Sequence, residues 1–179
     1  MYYMIQKYSR WRVLRPFFDD PLSQSGFTLR HLSTAIGLAP TSVRLHLAEL
    51  QRQGLILHAK SRPYPVYRAN QDSERFRFYK RMDLLFRLEE IGLLDRLDVA
   101  AAPEAIILFG SASRGEDVAG SDIDLFLLAS EIAPDLRKEE AALKRTVSLH
   151  FAERFSKLPS ELRNSILNGI RLRGYVKVF

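Results

Sequence analysis

The sequence predicts an α+β chain in two parts. The first half reads as helices closed by a β-ribbon, and the second as a mixed sheet with flanking helices. Two observations carry this. Apolar residues keep helical spacing until roughly residue 97, and from Ala105 the pattern becomes short unbroken apolar runs, AIILF and DLFLLA. Charge divides at the same place: residues 1–98 hold 16 of the 27 Lys+Arg but only 10 of the 21 Asp+Glu, and the remainder is neutral. The expected organisation is a helix-and-ribbon domain over 1–70, a linker helix over 71–99 and a sheet domain over 100–179.

Taken in order, Trp11, Val13, Leu14, Phe17 and Phe18 form one face of a helix that stops near Asp19-Asp20-Pro21. Thr28 is placed to cap a short helix, Leu29–Ile36, with Gly37 as its stop. Pro40 sits in the first turn of a third helix, whose inward face is Val43, Leu47 and Leu50 and whose end is Gly54. Leu55, Leu57, Val66 and Tyr67 flank an Arg/Pro-rich turn, which makes a hairpin. A long helix follows over 74–97, interrupted near Gly92, with an apolar stripe of Phe76, Tyr79, Phe86, Leu93 and Leu94. Past Ala105 come strands at AIILF and SDIDLFLLA, a helix in DLRKEEAALKRT, a strand at VSLHF, a helix interrupted by Pro159 and a closing strand, RLRGYVKVF.

The bulk composition excludes several classes. Hydrophobic residues are 46% and charged residues 27%, enough for a core. No apolar run approaches the roughly 18–20 residues of a membrane span, so no membrane partner is expected. There is no cysteine, hence no disulfide and no thiolate metal site. The N-terminal MYYMIQKYSRWR lacks the apolar stretch of a secretion signal. Together these lead to the expectation of a cytoplasmic protein.

Two constellations carry chemistry. The first is the order helix, helix, turn, third helix and ribbon within residues 7–70, that of a winged helix-turn-helix. There the N-terminal residues of the third helix enter the DNA major groove. Val43, His46, Leu47, Leu50, Gly54 and Leu55 follow the pattern T-V-x-x-H-L-x-x-L-x-x-x-G-L, and the segment resembles the MarR- and ArsR-type regulators. Thr41, Ser42, Arg44, Leu45 and Glu49 are left facing outward. Arg44 can read a guanine edge, Thr41 and Ser42 can bind phosphate, and Lys60, Arg62 and Arg68 on the ribbon can neutralise the backbone of double-stranded DNA. His46 reads as a packing residue.

The second constellation is GSASRGEDVAGSDID, Gly110 to Asp124. Glycine lets backbone approach a phosphate, and backbone N–H groups with the Ser111 hydroxyl can hold it. Asp122 and Asp124 are two apart on a strand and so share a face, about 6.5–7 Å apart at Cα. Carboxylates so placed can share Mg²⁺ ions that activate a hydroxyl and steady a leaving pyrophosphate.

The stretch LFGSASRGEDVAGSDIDLFLLA resembles the minimal nucleotidyltransferases of the DNA polymerase β superfamily, whose motif G-S-x-A-R-G…S-D-I-D-L is met by Gly110, Ser111, Arg114, Gly115, Ser121, Asp122, Asp124 and Leu125. Ser113 replaces the usual Ala. The resemblance implies an NTP held by Gly110, Ser111, Arg114 and Ser121, with Mg²⁺ on the catalytic pair Asp122 and Asp124. It also implies a third carboxylate on the next strand. Here that strand offers Ser148 or His150 instead, and Glu153 falls beyond it. The expected function is therefore a DNA-binding regulator, a homodimer joined along the long helix, whose second domain binds NTP and Mg²⁺. The alternative is an active enzyme moving NMP from NTP to a hydroxyl of a partner protein, as antitoxin-type members do. A protein-docking module with neither activity is the third reading, disfavoured by the Arg-rich first half. Arg171, Arg173 and Lys177 can help bind the triphosphate or simply be solvated, and solvation is the favoured reading.

Overall fold

A computed structural model describes residues 8–59, 61 and 64–177. The fold is α+β, and the chain divides into two compact units, residues 1–83 and 84–179.

In the first unit, α1 (Ser9–Asp19), α2 (Leu29–Ile36) and α3 (Pro40–Arg52) precede an antiparallel ribbon of β1 (Ile56–Ala59) and β2 (Val66–Ala69). Local chemistry sets the helix ends. Thr28 Oγ1 accepts from the His31 N–H at 3.1 Å, satisfying a donor that the first turn leaves open, and Gly37 ends α2 in the left-handed region at φ 64°. The inward faces of the helices, Val13, Leu14, Phe17, Phe18, Leu32, Val43, Leu47 and Leu50, close around Leu55, Ile56 and Phe76. Truncating a buried phenylalanine such as Phe17 in such a core costs about 3–5 kcal/mol. The ribbon has a third member: Phe27 and Tyr67 exchange two backbone hydrogen bonds of 2.8 Å each. Asp83 is buried and accepts from Trp11 Nε1 at 2.6 Å and from Arg15 Nη2 at 2.9 Å.

Helix α4 (Glu74–Glu90) ends at Gly92, φ 72°, and α5 (Leu93–Ala101) restarts from it, so the interruption falls where the sequence predicts. Of the apolar stripe expected to join two copies, Phe76 belongs to the first unit's core and Leu93 and Leu94 to the second's, while Tyr79 and Phe86 are half-buried.

The second unit is built on a mixed four-stranded sheet in the order β5-β4-β3-β6. The strands are β3 (Ala105–Phe109), β4 (Ile123–Leu128), β5 (Val147–Ala152) and β6 (Ile170–Gly174). Strand β3 is antiparallel to β4 and β6, while β4 and β5 are parallel. A five-residue helix, α6 (Gly110–Arg114), follows β3; α7 (Arg137–Leu143) and α8 (Ser160–Leu167) flank β5. Both faces of the central strands are covered, which is why they read as continuous apolar runs. Ile106, Leu108, Ile123, Leu125 and Leu127 pack with Leu84, Leu88, Leu93 and Leu97. Ile107, Phe109, Phe126 and Leu128 pack with Phe155, Leu158 and Ile166. The closing strand ends at Gly174, short of the RLRGYVKVF expected, and residues 178–179 lie outside those described. Among the described residues no helix is long and apolar enough to cross a membrane.

Candidate functional site

Strand alternation places the carboxylates. On β4 the even-numbered residues Phe126 and Leu128 belong to the core shared with Phe155 and Ile166. Toward the start of the strand the same face carries Asp124, half-buried, and Asp122, exposed and just before β4 begins. Asp124 lies opposite Phe109 on β3 and opposite Ser148 on β5. The chain leaves Phe109 directly into Gly110, which has φ 71°. A Cβ at Gly110 would stand 2.5 Å from Asp124 Oδ2, so any other residue is strained by conformation and would displace the carboxylate. The motif is expected to bring backbone close to a phosphate, and the close neighbour of Gly110 in the structure is the Asp124 carboxylate.

The turn after Gly110 is locked from within. Ser113 Oγ and Arg114 Nη1 donate to the Gly110 carbonyl at 2.8 and 3.0 Å, and Gly115 ends α6 at φ 71°. Arg114 Nε also donates to Glu116 at 2.6 Å. Ser111 opens α6 half-buried, and its hydroxyl makes no hydrogen bond among the described residues. The Ser121 hydroxyl accepts from the Val118 N–H at 3.0 Å and so shapes the loop leading into β4.

Strand β5 supplies the neighbours of the acid pair. Ser148 Oγ donates to Asp122 Oδ2 at 3.2 Å. His150 Nε2 lies 3.6 Å from Asp124 Oδ1, with its ring edge-on to Phe109. Both residues therefore stand beside the pair on the strand where the motif's third acid is expected. Glu153 lies past the end of β5 and accepts from Ser130, itself beyond the far end of β4. Among the described residues no group of three or more His, Cys, Asp or Glu is arranged to hold a metal ion.

Sequence reasoning missed Arg145 and Asp117. Arg145 Nη1 pairs with Asp117 at 2.7 Å, and its other nitrogens donate to the carbonyls of Ser121, at 2.8 Å, and Asp122, at 3.0 Å. The closing strand also differs from expectation. Arg173 binds Glu89 at 2.8 Å and approaches Asp95 and Asp98, and the Glu89 hydrogen bond raises its already high pKa. It is a structural cation, not a solvated one.

In the first unit, Thr41, Arg44 and Leu45 are exposed on α3, Leu45 at 70%, while Ser42 is half-buried. Glu49 is claimed by its own helix end: hydrogen bonds from Arg52 and Gln53 hold its carboxyl down at about 2. His46 is partly buried, and burial, then the nearby Arg10, lowers its pKa. Arg68 donates to the Gln24 carbonyl at 2.6 Å and remains exposed. Lys60 and Arg62 lie outside the described residues. A groove is lined by Arg30, His31, Thr34, Arg44, Tyr64 and Tyr67. Arg30 and Arg44 make no hydrogen bond or ion pair among the described residues.

Residues 92–172 match the family model of the nucleotidyltransferase domain. No curated protein and no solved structure matches the chain.

Proposed function

We propose that the chain is a DNA-binding regulator, with a winged helix over 1–70, a linker helix over 71–99 and a nucleotidyltransferase domain over 100–179 that binds nucleoside triphosphate with Mg²⁺. The observation that carries the nucleotide half is Asp124 packed over Gly110, with Asp122 beside it on the same face. Gly110, Ser111, Arg114 and Ser121 are the triphosphate contacts on this reading. Arg114 would exchange Glu116 for phosphate, and Ser111 brings a hydroxyl not committed elsewhere among the described residues. The donor set fits one Mg²⁺, which is usually held by one or two carboxylates together with substrate phosphates and water. Asp122 and Asp124 would hold it, and when bound it would neutralise phosphate charge. Three acids are the donor set that two cations need, and Ser148 and His150 stand in the third place, so this reading has binding outlast turnover.

The DNA half rests on Arg44, exposed on α3 and without a partner among the described residues, beside Thr41, Ser42 and Leu45. Arg68, exposed on β2, adds to it, and Lys60 and Arg62, outside the described residues, are included in the proposal. A homodimer joined along the long helix and reading a two-fold site belongs to the same proposal.

A second reading has one observation in its favour. His150 reaches Asp124 and could take a proton from an attacking hydroxyl on a partner protein. That oxygen would bond to the α-phosphorus as the bond to pyrophosphate breaks.

A pyrophosphate-release assay with each of the four NTPs and Mg²⁺ separates the readings. The first expects NTP retained in equilibrium dialysis without release. Release that is lost in His150→Ala and in Asp124→Ala supports the second. Duplex binding followed by fluorescence anisotropy tests the DNA half, and no duplex affinity at low salt contradicts it.

A further inference from the structure

We infer that Arg145 is a positioning residue for the carboxylate pair, an inference that rests on the metal–nucleotide reading of that pair. The two aspartates are held differently. Asp124 lies inside β4, between Phe109 and Ser148, and the sheet fixes its backbone. Asp122 precedes the strand and has no ladder partner of its own, although the Ile123 N–H that follows it donates to the Thr146 carbonyl at 2.9 Å. Ser148 Oγ donates to the Asp122 carboxylate, and the Asp122 carbonyl goes to Arg145, whose guanidinium takes that carbonyl, the Ser121 carbonyl and the Asp117 carboxylate together.

The geometry suits an arginine and nothing smaller. One planar fork serves three acceptors that belong to a single loop, which a lysine ammonium on a flexible stem does not reproduce. The pair is shielded, with Arg145 15% and Asp117 5% exposed, so removing the cation takes a charged partner from a carboxylate that is largely out of water. Arg145 is itself anchored: its N–H donates to the Glu140 carbonyl at 3.2 Å, and the Val147 N–H donates to Glu140 Oε1 at 2.9 Å. Helix α7 thus fixes the arginine, the arginine fixes the loop, and the loop sets where the Asp122 carboxylate starts. Arg145 touches neither carboxylate oxygen of the aspartate pair, so its effect reaches a bound cation through the backbone of Asp122.

The test is Mn²⁺ titration of the full chain, with free Mn²⁺ followed by electron paramagnetic resonance, beside thermal unfolding. Arg145→Gln is expected to weaken Mn²⁺ binding about 10–100-fold, the range for residues that orient metal ligands. Arg145→Lys is expected to fold with a near wild-type melting temperature yet bind several-fold more weakly. Arg96→Gln breaks a different ion pair of the same unit, Arg96–Glu139 at 2.7 Å, and is expected to lower stability while leaving Mn²⁺ affinity unchanged. Wild-type affinity in folded Arg145→Lys and Arg145→Gln would overturn the inference, as would an equal loss in Arg96→Gln. Mn²⁺ failing to bind the wild type would remove the reading of the pair and this inference with it. Binding by the wild type that is lost in Asp124→Ala but kept in both Arg145 variants would remove the inference alone.

Discussion

The two units treat their charges in opposite ways. In the second, most arginines are committed to neighbours: Arg87 to the Leu143 carbonyl, Arg96 to Glu139, Arg145 to Asp117 and Arg173 to Glu89. What that unit sets aside is negative, the Asp122–Asp124 pair, which has no arginine or lysine partner among the described residues. The first unit also commits several arginines, Arg15 to Asp83 and Arg52 to Glu49 among them, but sets aside positive charge, Arg30 and Arg44 on one groove. Net charge alone separates the halves without saying why. Charges that no opposite Arg, Lys, Asp or Glu neutralises among the described residues are the informative ones, because such a carboxylate pair suits a cation and such an arginine pair suits phosphate.

The sharpest way to strengthen that contrast is Ser148→Asp, which adds a third carboxylate next to Asp124. The variant is expected to bind Mn²⁺ about 10-fold more tightly, since a close favourable charge contact is worth on the order of 1.4 kcal/mol or more. Without metal it is expected to unfold at a lower temperature, because three acids then repel one another. Unchanged Mn²⁺ affinity measured by the same titration would count against Ser148 standing in the third place. To break the contrast from the other side, Arg30→Ala with Arg44→Ala removes the two cations that the groove of the first unit sets aside. Duplex affinity is expected to fall about 10-fold, and the slope of log K against log salt to shrink by roughly 0.9 for each phosphate no longer neutralised. A salt series of anisotropy titrations reads both quantities.

Two smaller effects test the frame. Lys144 ends α7 in the left-handed region at φ 56°, where a side chain is strained, so Lys144→Gly is expected to stabilise the second unit by about 0.5–1 kcal/mol in urea unfolding. His46 gives the smallest. Its folded pKa is lowered, so the unfolded chain takes up the proton first, and the stability it contributes is fully present above pH 6.5 and declines as pH falls through 6.5 toward its folded value. Melting curves of the wild type from pH 7.5 to 5 are expected to show this loss, and His46→Gln to show less of it.

Local chemistry is legible in the sequence and tertiary partnership is not. Thr28 and Gly37 bracket α2 by capping rules that act within a few residues, and Gly92 breaks α4 for the same kind of reason. Asp122 and Asp124 share a face because a strand alternates, and Gly110 needs no Cβ because its neighbour is close. The Phe27–Tyr67 bridge joins residues 40 positions apart, and no periodicity encodes it. Arg145 reads only as the end of the helical DLRKEEAALKRT and Asp117 has no assigned role, since an arginine's partner is decided by which segments the fold brings together. Arg173 reads as solvated for that reason: Glu89, Asp95 and Asp98 reach it only after β6 pairs with β3. The stripe is visible, but its period cannot tell which of its residues the fold buries, as it does Phe76, Leu93 and Leu94.

The central claim is that the corner made by Gly110, Asp122 and Asp124 holds a nucleotide with a cation. Calorimetric titration of the chain with ATP, GTP, CTP and UTP, each with and without Mg²⁺, tests it most directly when run beside Asp122→Ala and Asp124→Ala. The account predicts Mg²⁺-dependent binding of at least one nucleotide by the wild type, weakened on the order of 100-fold in each variant, as removing a charged partner worth about 2–5 kcal/mol requires. Binding that is the same in all three proteins, or that ignores Mg²⁺, would contradict it.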